Sequence, residues 1–163
     1  MTGPDSGVGE IGARPSPFWR LFFRMAYGSL RLIDPAIRVW WRRRLPGIRG
    51  VVDVEVRGRR TGRRRRTLLT QLVVEGAIYI GHPNGPSGWT RNAEAAGFVS
   101  VLQADGRHER YRPIRLHAGP ERERVIAETW VQQPFAGNVV YWLARDHVRA
   151  VGMYYRLAAR DQT

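Results

Sequence analysis

Val52-Asp53-Val54-Glu55-Val56-Arg57, then Gly58-Arg59-Arg60-Thr61-Gly62-Arg63-Arg64-Arg65-Arg66, then Thr67-Leu68-Leu69 follow one another without interruption. The outer pieces dictate how the middle is built. Valines at every second position with charged residues between them give the two-residue period of a half-buried strand. Thr67 to Val74 reads as a second strand, so the arginines occupy the connection between two antiparallel strands. Six arginines within eight positions repel one another unless something negative lies among them. The segment reads as an anion receptor, with phosphate, carboxylate, nucleic acid and an acidic lipid surface as candidate partners.

Working outward, Glu75-Gly76 is a turn signal and Ala77 to Gly81 a third strand. Phe98 to Ala104 and His108 to Leu116 are two more, joined by the hairpin dipeptide Asp105-Gly106, with Tyr111 and Ile114 directed inward. A helix over Gly119 to Gln133 follows, opened by Pro120-Glu121 with acid near its positive end. Asn138 to Leu157 reads as a further amphipathic helix, with Tyr154 and Tyr155 near its end. This order predicts an α+β, mainly antiparallel β fold, a barrel of six strands or fewer with helices outside it.

Before the strands, residues 1–16 are glycine- and proline-rich and read as disordered. They lack the basic start and apolar run of a signal peptide, which predicts a cytoplasmic protein. Residues 17–45 are aromatic and basic. Phe18, Leu21, Phe22, Met25 and Leu32 share one helical face, with Arg20, Arg24 and Arg31 on a neighbouring stripe. A second piece starts at Asp34-Pro35 and runs to Leu45. Such helices are too short and too charged to span a bilayer, but suit peripheral contact with the cytoplasmic membrane face. The competing expectation is that they pack on the barrel or at a homodimer interface. Residues 46–163 form the barrel domain.

Of 163 residues, 27 are cationic and 14 acidic, for a net charge of +13, and every cation is arginine. Arginine's planar fork suits bidentate contacts with phosphate and carboxylate. The complete absence of lysine also reads as codon usage in a GC-rich bacterium. There is no cysteine, which excludes disulfides, thiolate catalysis and cysteine-ligated metals. The four histidines show no metal-ligand spacing, so no metal is expected.

The run Gly58 to Leu69 resembles the Gly-Arg-Lys-Ser-Gly-x-x-Arg-x-x-Pro-Leu segment of the deazaflavin-dependent nitroreductase and quinone reductase family. Tyr79-Ile-Gly-His-Pro-Asn-Gly-Pro-Ser-Gly-Trp-Thr-Arg-Asn92 is similar to that family's strand, glycine-rich loop and Trp-x-x-Asn helix start. The resemblance covers roughly Val51 to Leu116. It implies a split β-barrel and a reductase that transfers hydride from reduced coenzyme F420 to a lipophilic quinone, nitro compound or enone. It places Arg59, Arg60, Thr61, Gly62 and Arg65 on the cofactor's anionic tail, and Leu68, Leu69 and Thr70 along its ring. It makes His82, Pro83, Asn84, Gly85 and Ser87 a loop whose main chain approaches the cofactor, with Trp89 and Asn92 shaping the short helix beside it. Leu68 replaces the family's usual proline, and Thr90-Arg91 stands where relatives commonly have Tyr-His.

Plainer roles compete at each position. Arg63, Arg64 and Arg66 fit solvated positions, Trp89 a core anchor, Asn92 a turn brace, and His82 neither ligand nor base. Ser87 lacks the strand-to-helix setting of a hydrolase elbow. Hydride transfer needs no protein nucleophile, but a proton donor would help, and the pair Tyr154 and Tyr155 is the one to test, with Tyr79 and Tyr141 also available. Three functional classes follow: an F420-dependent reductase; a non-catalytic F420 carrier or a barrel binding FMN or heme; and a nucleic-acid binder. FMN ranks below F420, and nucleic acid ranks last because no recognisable nucleic-acid module is present.

Overall fold

The computed structural model describes residues 14–43, 50–103, 105–134 and 136–159. The expectations for residues 1–13 and 44–49 lie outside them. Helix α1 (Pro17–Arg42) leads into β1 (Val51–Arg57), β2 (Arg64–Thr70), β3 (Leu72–Val74) and β4 (Ala77–His82). Then come α2 (Gly88–Ala96), β5 (Val99–Leu102), β6 (His108–Arg115), α3 (Pro120–Gln132), α4 (Gly137–Leu143), α5 (Arg145–Val151) and β7 (Met153–Ala159).

The strands form one sheet in the order β2-β1-β5-β6-β7-β4-β3, antiparallel throughout. Its two outermost strands are consecutive in the chain, parted only by Gln71. The Gln71 N–H donates to Gly50 O at 2.7 Å, and its side-chain oxygen accepts from Gln103 Nε2 at 3.1 Å. A strand that leaves one end of the sheet and enters the other forces the sheet to curl on itself, and the result is a split β-barrel. At the free side of β3, Gln132 of α3 accepts from Val73 N–H and donates to Val73 O, both at 2.9 Å. One side-chain amide there does the work of a neighbouring strand.

Alternation along the strands separates two cores. Inside the barrel lie Val52, Val54, Val56, Ile80, Val99, Val101, Tyr111, Tyr155 and Leu157, capped by Trp89 and Ala93 of α2. Outside, Leu72, Tyr79 and Tyr154 pack beneath Phe23 of α1, Val125 and Ile126 of α3, and Val148 of α5. Gly81 is paired across the sheet with Tyr154, and a Cβ there would land in the Tyr154 ring. Gly81→Ala is therefore expected to lower the unfolding free energy by about 1–3 kcal/mol through overpacking. Denaturant titration checks it; an unchanged midpoint would mean that the tyrosine swings aside freely.

Several expectations are corrected. The barrel has seven strands, because the expected second strand breaks at Gln71 and a seventh exists at the C-terminus. Tyr154 and Tyr155 lie in that strand, β7, and the expected helix over 138–157 is α4, α5 and β7. From Met153 to Tyr155 both faces of β7 are covered, so the strand opens with no alternation of polarity. The two N-terminal pieces are one helix with Pro35 inside it. Its inward face is also not the one periodicity selects: Phe23 is buried, with Trp19 and Tyr27 packed beside it, whereas Phe18 is 66% exposed and Met25 64%. The helix is apolar nearly all round in its first turns, so period alone cannot choose a face. The choice falls to the i, i+4 aromatic row, which meets Tyr141 and His147.

Candidate cofactor site

The β1–β2 hairpin closes with Gly58 N–H on Arg63 O and Gly62 N–H on Gly58 O, each at 2.8 Å. Gly62 has φ +66°, a left-handed conformation that a glycine adopts without strain. Thr61 turns its hydroxyl back to accept from Arg63 N–H at 3.4 Å, so its side chain braces the turn. Of the six arginines, Arg66 pairs with the buried Asp53 at 2.6 Å, and the exposed Arg64 reaches the half-buried Glu55 at 3.4 Å. Arg66 is therefore an anchor, contrary to its solvated reading. Among the described residues, no carboxylate pairs with Arg59, Arg60, Arg63 or Arg65, all of them exposed.

The second motif meets the first through Asn92. Its Oδ1 accepts from Arg59 N–H at 3.2 Å and from Arg59 Nη1 at 3.3 Å, tying the hairpin to α2 across 33 residues of chain. Helix α2 begins at Ser87, whose hydroxyl accepts from Thr90 N–H, while Thr90 Oγ1 accepts from Ser87 N–H at 2.8 Å. This reciprocal capping box gives Thr90 a structural reason. Trp89 packs inside the barrel with its ring centroid 5.7 Å from that of Tyr155, and its Nε1 is buried with no hydrogen-bond partner among the described residues.

The remaining residues divide between two places. Leu69 packs on the inner core, Leu68 is half-buried in register with Asp53, and Thr70 donates outward to Gln133 Oε1 at 2.7 Å. Pro83 and Gly85 are buried, and Gly85 takes φ +75°. His82 and Asn84 turn toward α1 instead of the hairpin: the His82 ring lies 5.1 Å from that of Tyr27, and Asn84 Nδ2 donates to Arg20 O at 3.1 Å. Burial pulls the His82 pKa down to about 4, so the ring is neutral near pH 7.

The two candidate tyrosines point to opposite sides of β7. Tyr154 is in the outer core, hydrogen-bonded to Thr129, and Tyr155 is in the inner core, donating to Glu94 Oε1 at 2.8 Å. Burial raises both pKa values far above the ordinary tyrosine range, with Glu94 adding to the effect at Tyr155. Sequence reasoning missed Glu94, Arg115 3.7 Å from it, and His147. Nothing local in the sequence marks any of the three: Glu94 is five residues from Trp89, off its helical face, and meets Tyr155 only through the fold.

The donor set suits a long polyanion. Four unneutralised guanidiniums surround a tight glycine turn and adjoin the barrel mouth at α2. No nucleophile with a base accompanies them, and among the described residues no group of three or more His, Asp and Glu is placed to hold a metal.

No family model matches the chain, and no curated protein does. Solved structures do. HutZ, the heme storage protein from Vibrio cholerae, aligns with a TM-score of 0.51 at 15% identity, over 79% of this chain and 91% of that one. A domain-swapped dimer aligns at 0.51 with 18% identity, over 80% and 98% of the two chains. An F420-H2 dependent reductase, FDR-A, aligns at 0.47 with 19% identity, over 67% and 94%. What this chain has in common with the first two is its fold, the split β-barrel.

Proposed function

We propose that the chain is a coenzyme F420-dependent reductase acting on a lipophilic electrophile such as a quinone, nitro compound or enone. The observation that carries this reading is the Asn92–Arg59 junction, which brings the two family-like motifs together beside four arginines that lack carboxylate partners. A cofactor tail with a phosphodiester and several glutamates would use these cations; the single phosphate of FMN would leave most of them unpaired. Heme is a poorer fit, because His82 and His147 lie beneath α1 and His108 and His117 are exposed, so no histidine faces the barrel interior.

The bound deazaflavin supplies the hydride. The protein's share would be to hold the tail with Arg59, Arg60 and Arg65, to keep α2 seated through Trp89, and to offer Tyr155 as a protonated hydroxyl. Glu94, 40% exposed, connects that hydroxyl to solvent. Tyr154, in the outer core, is not assigned a proton-transfer role.

Titration with F420 and FMN, followed by fluorescence, tests the assignment. F420 should bind more tightly; equal or reversed affinities count against it. Arg60→Ala and Arg65→Ala should each weaken F420 binding by about 1.5–3 kcal/mol, the worth of a charge-assisted hydrogen bond. Arg64→Ala, at a cation that already pairs with Glu55, serves as the control. Equal losses at all three positions that vanish in high salt would reduce the hairpin to a diffuse attractor.

The exposed face of α1, Phe18, Leu21, Phe22 and Met25 beside Arg20 and Arg24, supports peripheral membrane contact and access for a lipophilic acceptor. No helix among the described residues is long and apolar enough to cross a bilayer. Phe18→Ser with Met25→Ser is expected to abolish co-sedimentation with phosphatidylglycerol vesicles and leave F420 affinity unchanged. If the pair instead converts a dimer to a monomer, that face is a homodimer interface, an arrangement in keeping with the domain-swapped dimer that shares the fold.

A further inference from the structure

His147, on α5, is buried beneath α1 and takes no part in the arginine hairpin or the barrel interior. Ser16 N–H donates to its Nδ1 at 3.0 Å, which leaves the ring proton on Nε2. Nε2–H in turn donates to Asn84 Oδ1 at 2.9 Å, and Asn84 Nδ2 donates to Arg20 O at 3.1 Å. A single His–Asn unit thus holds the start of α1 by a backbone donor and a backbone acceptor one turn apart. Asn84 sits in the loop from His82 to Ser87, where His82 Nδ1 lies 3.0 Å from Gly85 O and 3.3 Å from Asn84 N. Two residues after Gly85 the chain reaches Ser87, the cap of α2, the helix that carries Trp89 and Asn92.

We propose that His147 is a positioning residue: by fastening α1 to Asn84 it fixes the path of the 82–87 loop, and with it the placement of α2 over the barrel. Seating of α1 and the geometry of the cofactor side are then one coupled event. The consequence for cofactor affinity rests on the F420 reading; the coupling itself does not.

The hydrogen-bond pattern makes this joint sensitive to acid. A proton on Nδ1 removes the acceptor for Ser16 N–H and places a cation beneath α1. Facing the imidazole are Arg20 and the stacked Phe23 ring of α1, Asn84 and then His82 of the loop, and Tyr141 of α4 across Phe23. On its own helix, Asp146 is exposed and Arg149 half-exposed. None of the hydrogen bonds described for the ring comes from a carboxylate that would stabilise the cation. Burial and the nearby Arg20 hold the pKa of His147 below the usual histidine value.

Hydrogen–deuterium exchange on the ligand-free full chain tests the coupling. In His147→Phe, which lacks both polar contacts, and in Ser16→Pro, which lacks the donor to His147 and also the hydroxyl that accepts from Trp19 N–H, exchange should rise by about tenfold in residues 16–22 and 83–90 together, with α3 and β6 unchanged. His147→Gln keeps one acceptor and one donor and should restore both segments. In the native chain the two segments should loosen together between pH 7.5 and pH 5, after correction for intrinsic rates, and in His147→Gln they should not. F420 affinity should fall by about fivefold in His147→Phe and Ser16→Pro at pH 7.5. Loosening of residues 16–22 with 83–90 unchanged overturns the proposal. If His147→Phe loosens the whole fold, Ser16→Pro decides, since it removes no core side chain. A native chain that shows the paired exchange but binds no F420 refutes the cofactor reading and leaves the coupling standing.

Discussion

Asp53→Ala is expected to lower the unfolding free energy by about 3 kcal/mol, at the lower end of the range for removing one member of a buried ionic cluster. Asp53 lies on the outer side of β1 at 1% exposure, and its Oδ2 meets Arg38 of α1 and Arg66 of β2. Without the carboxylate, two guanidiniums are left side by side. Arg38 is 16% exposed and cannot hydrate fully, while Arg66 at 34% can turn to water, which is why the estimate stays low in the range. Among the described residues Asp53 Oδ1 has no hydrogen-bond partner, so part of the cluster's cost is already present in the native state. The melting temperature should fall by roughly 6–12 °C for a chain of this size. Adding Arg38→Leu to Asp53→Ala should recover part of that loss, because one of the two cations that faced the carboxylate goes with it. A double variant no more stable than the single one would mean that the loss comes from packing beneath α1 and not from charge.

Trp89→Ala should cost about 3–5 kcal/mol, the usual range for emptying a buried indole site. The ring fills the junction of α2, the inner valines and Tyr155, and α2 has only nine residues and little stability of its own. Losing the anchor should also free Asn92 from Arg59, so F420 affinity and stability should fall together. Trp89→Phe is the informative control. It retains most of the packing and removes the buried Nε1 that has no partner among the described residues, so the stability loss should be under about 1.5 kcal/mol. If F420 binding nonetheless drops in Trp89→Phe, the indole N–H is a ligand contact, and its lack of a partner among those residues is explained.

Elements governed by local chemistry were legible in the sequence. Alternation in Val52, Val54 and Val56 marks β1, and Glu75-Gly76, both at positive φ, makes the two-residue turn between β3 and β4. Pro120 opens α3 as its residue type demands. Elements set by tertiary contacts were not. β7 opens with three buried residues, Met153 to Tyr155, on alternating faces and shows no polar alternation there to mark a strand. Pro35 marks a helix start by rule, yet α1 continues through it, because Phe23 on one side and Arg38 on the other are held by the barrel. In the site, the meeting of Arg59 with Asn92 agrees with the motif pairing, whereas the turning of Asn84 toward α1 involves a histidine more than 60 residues away, and that of His82 a ring contact with Tyr27.

The side-chain amide of Gln132 on Val73 also bears on how the protein behaves at high concentration. An uncovered strand margin invites a second chain to add by main-chain pairing, the first step toward fibrous aggregation. Here the margin strand is three residues long, and its central residue already has both main-chain groups occupied. Edge-to-edge polymerisation through β3 is blocked by one glutamine, which leaves β2 as the other terminal strand of the sheet.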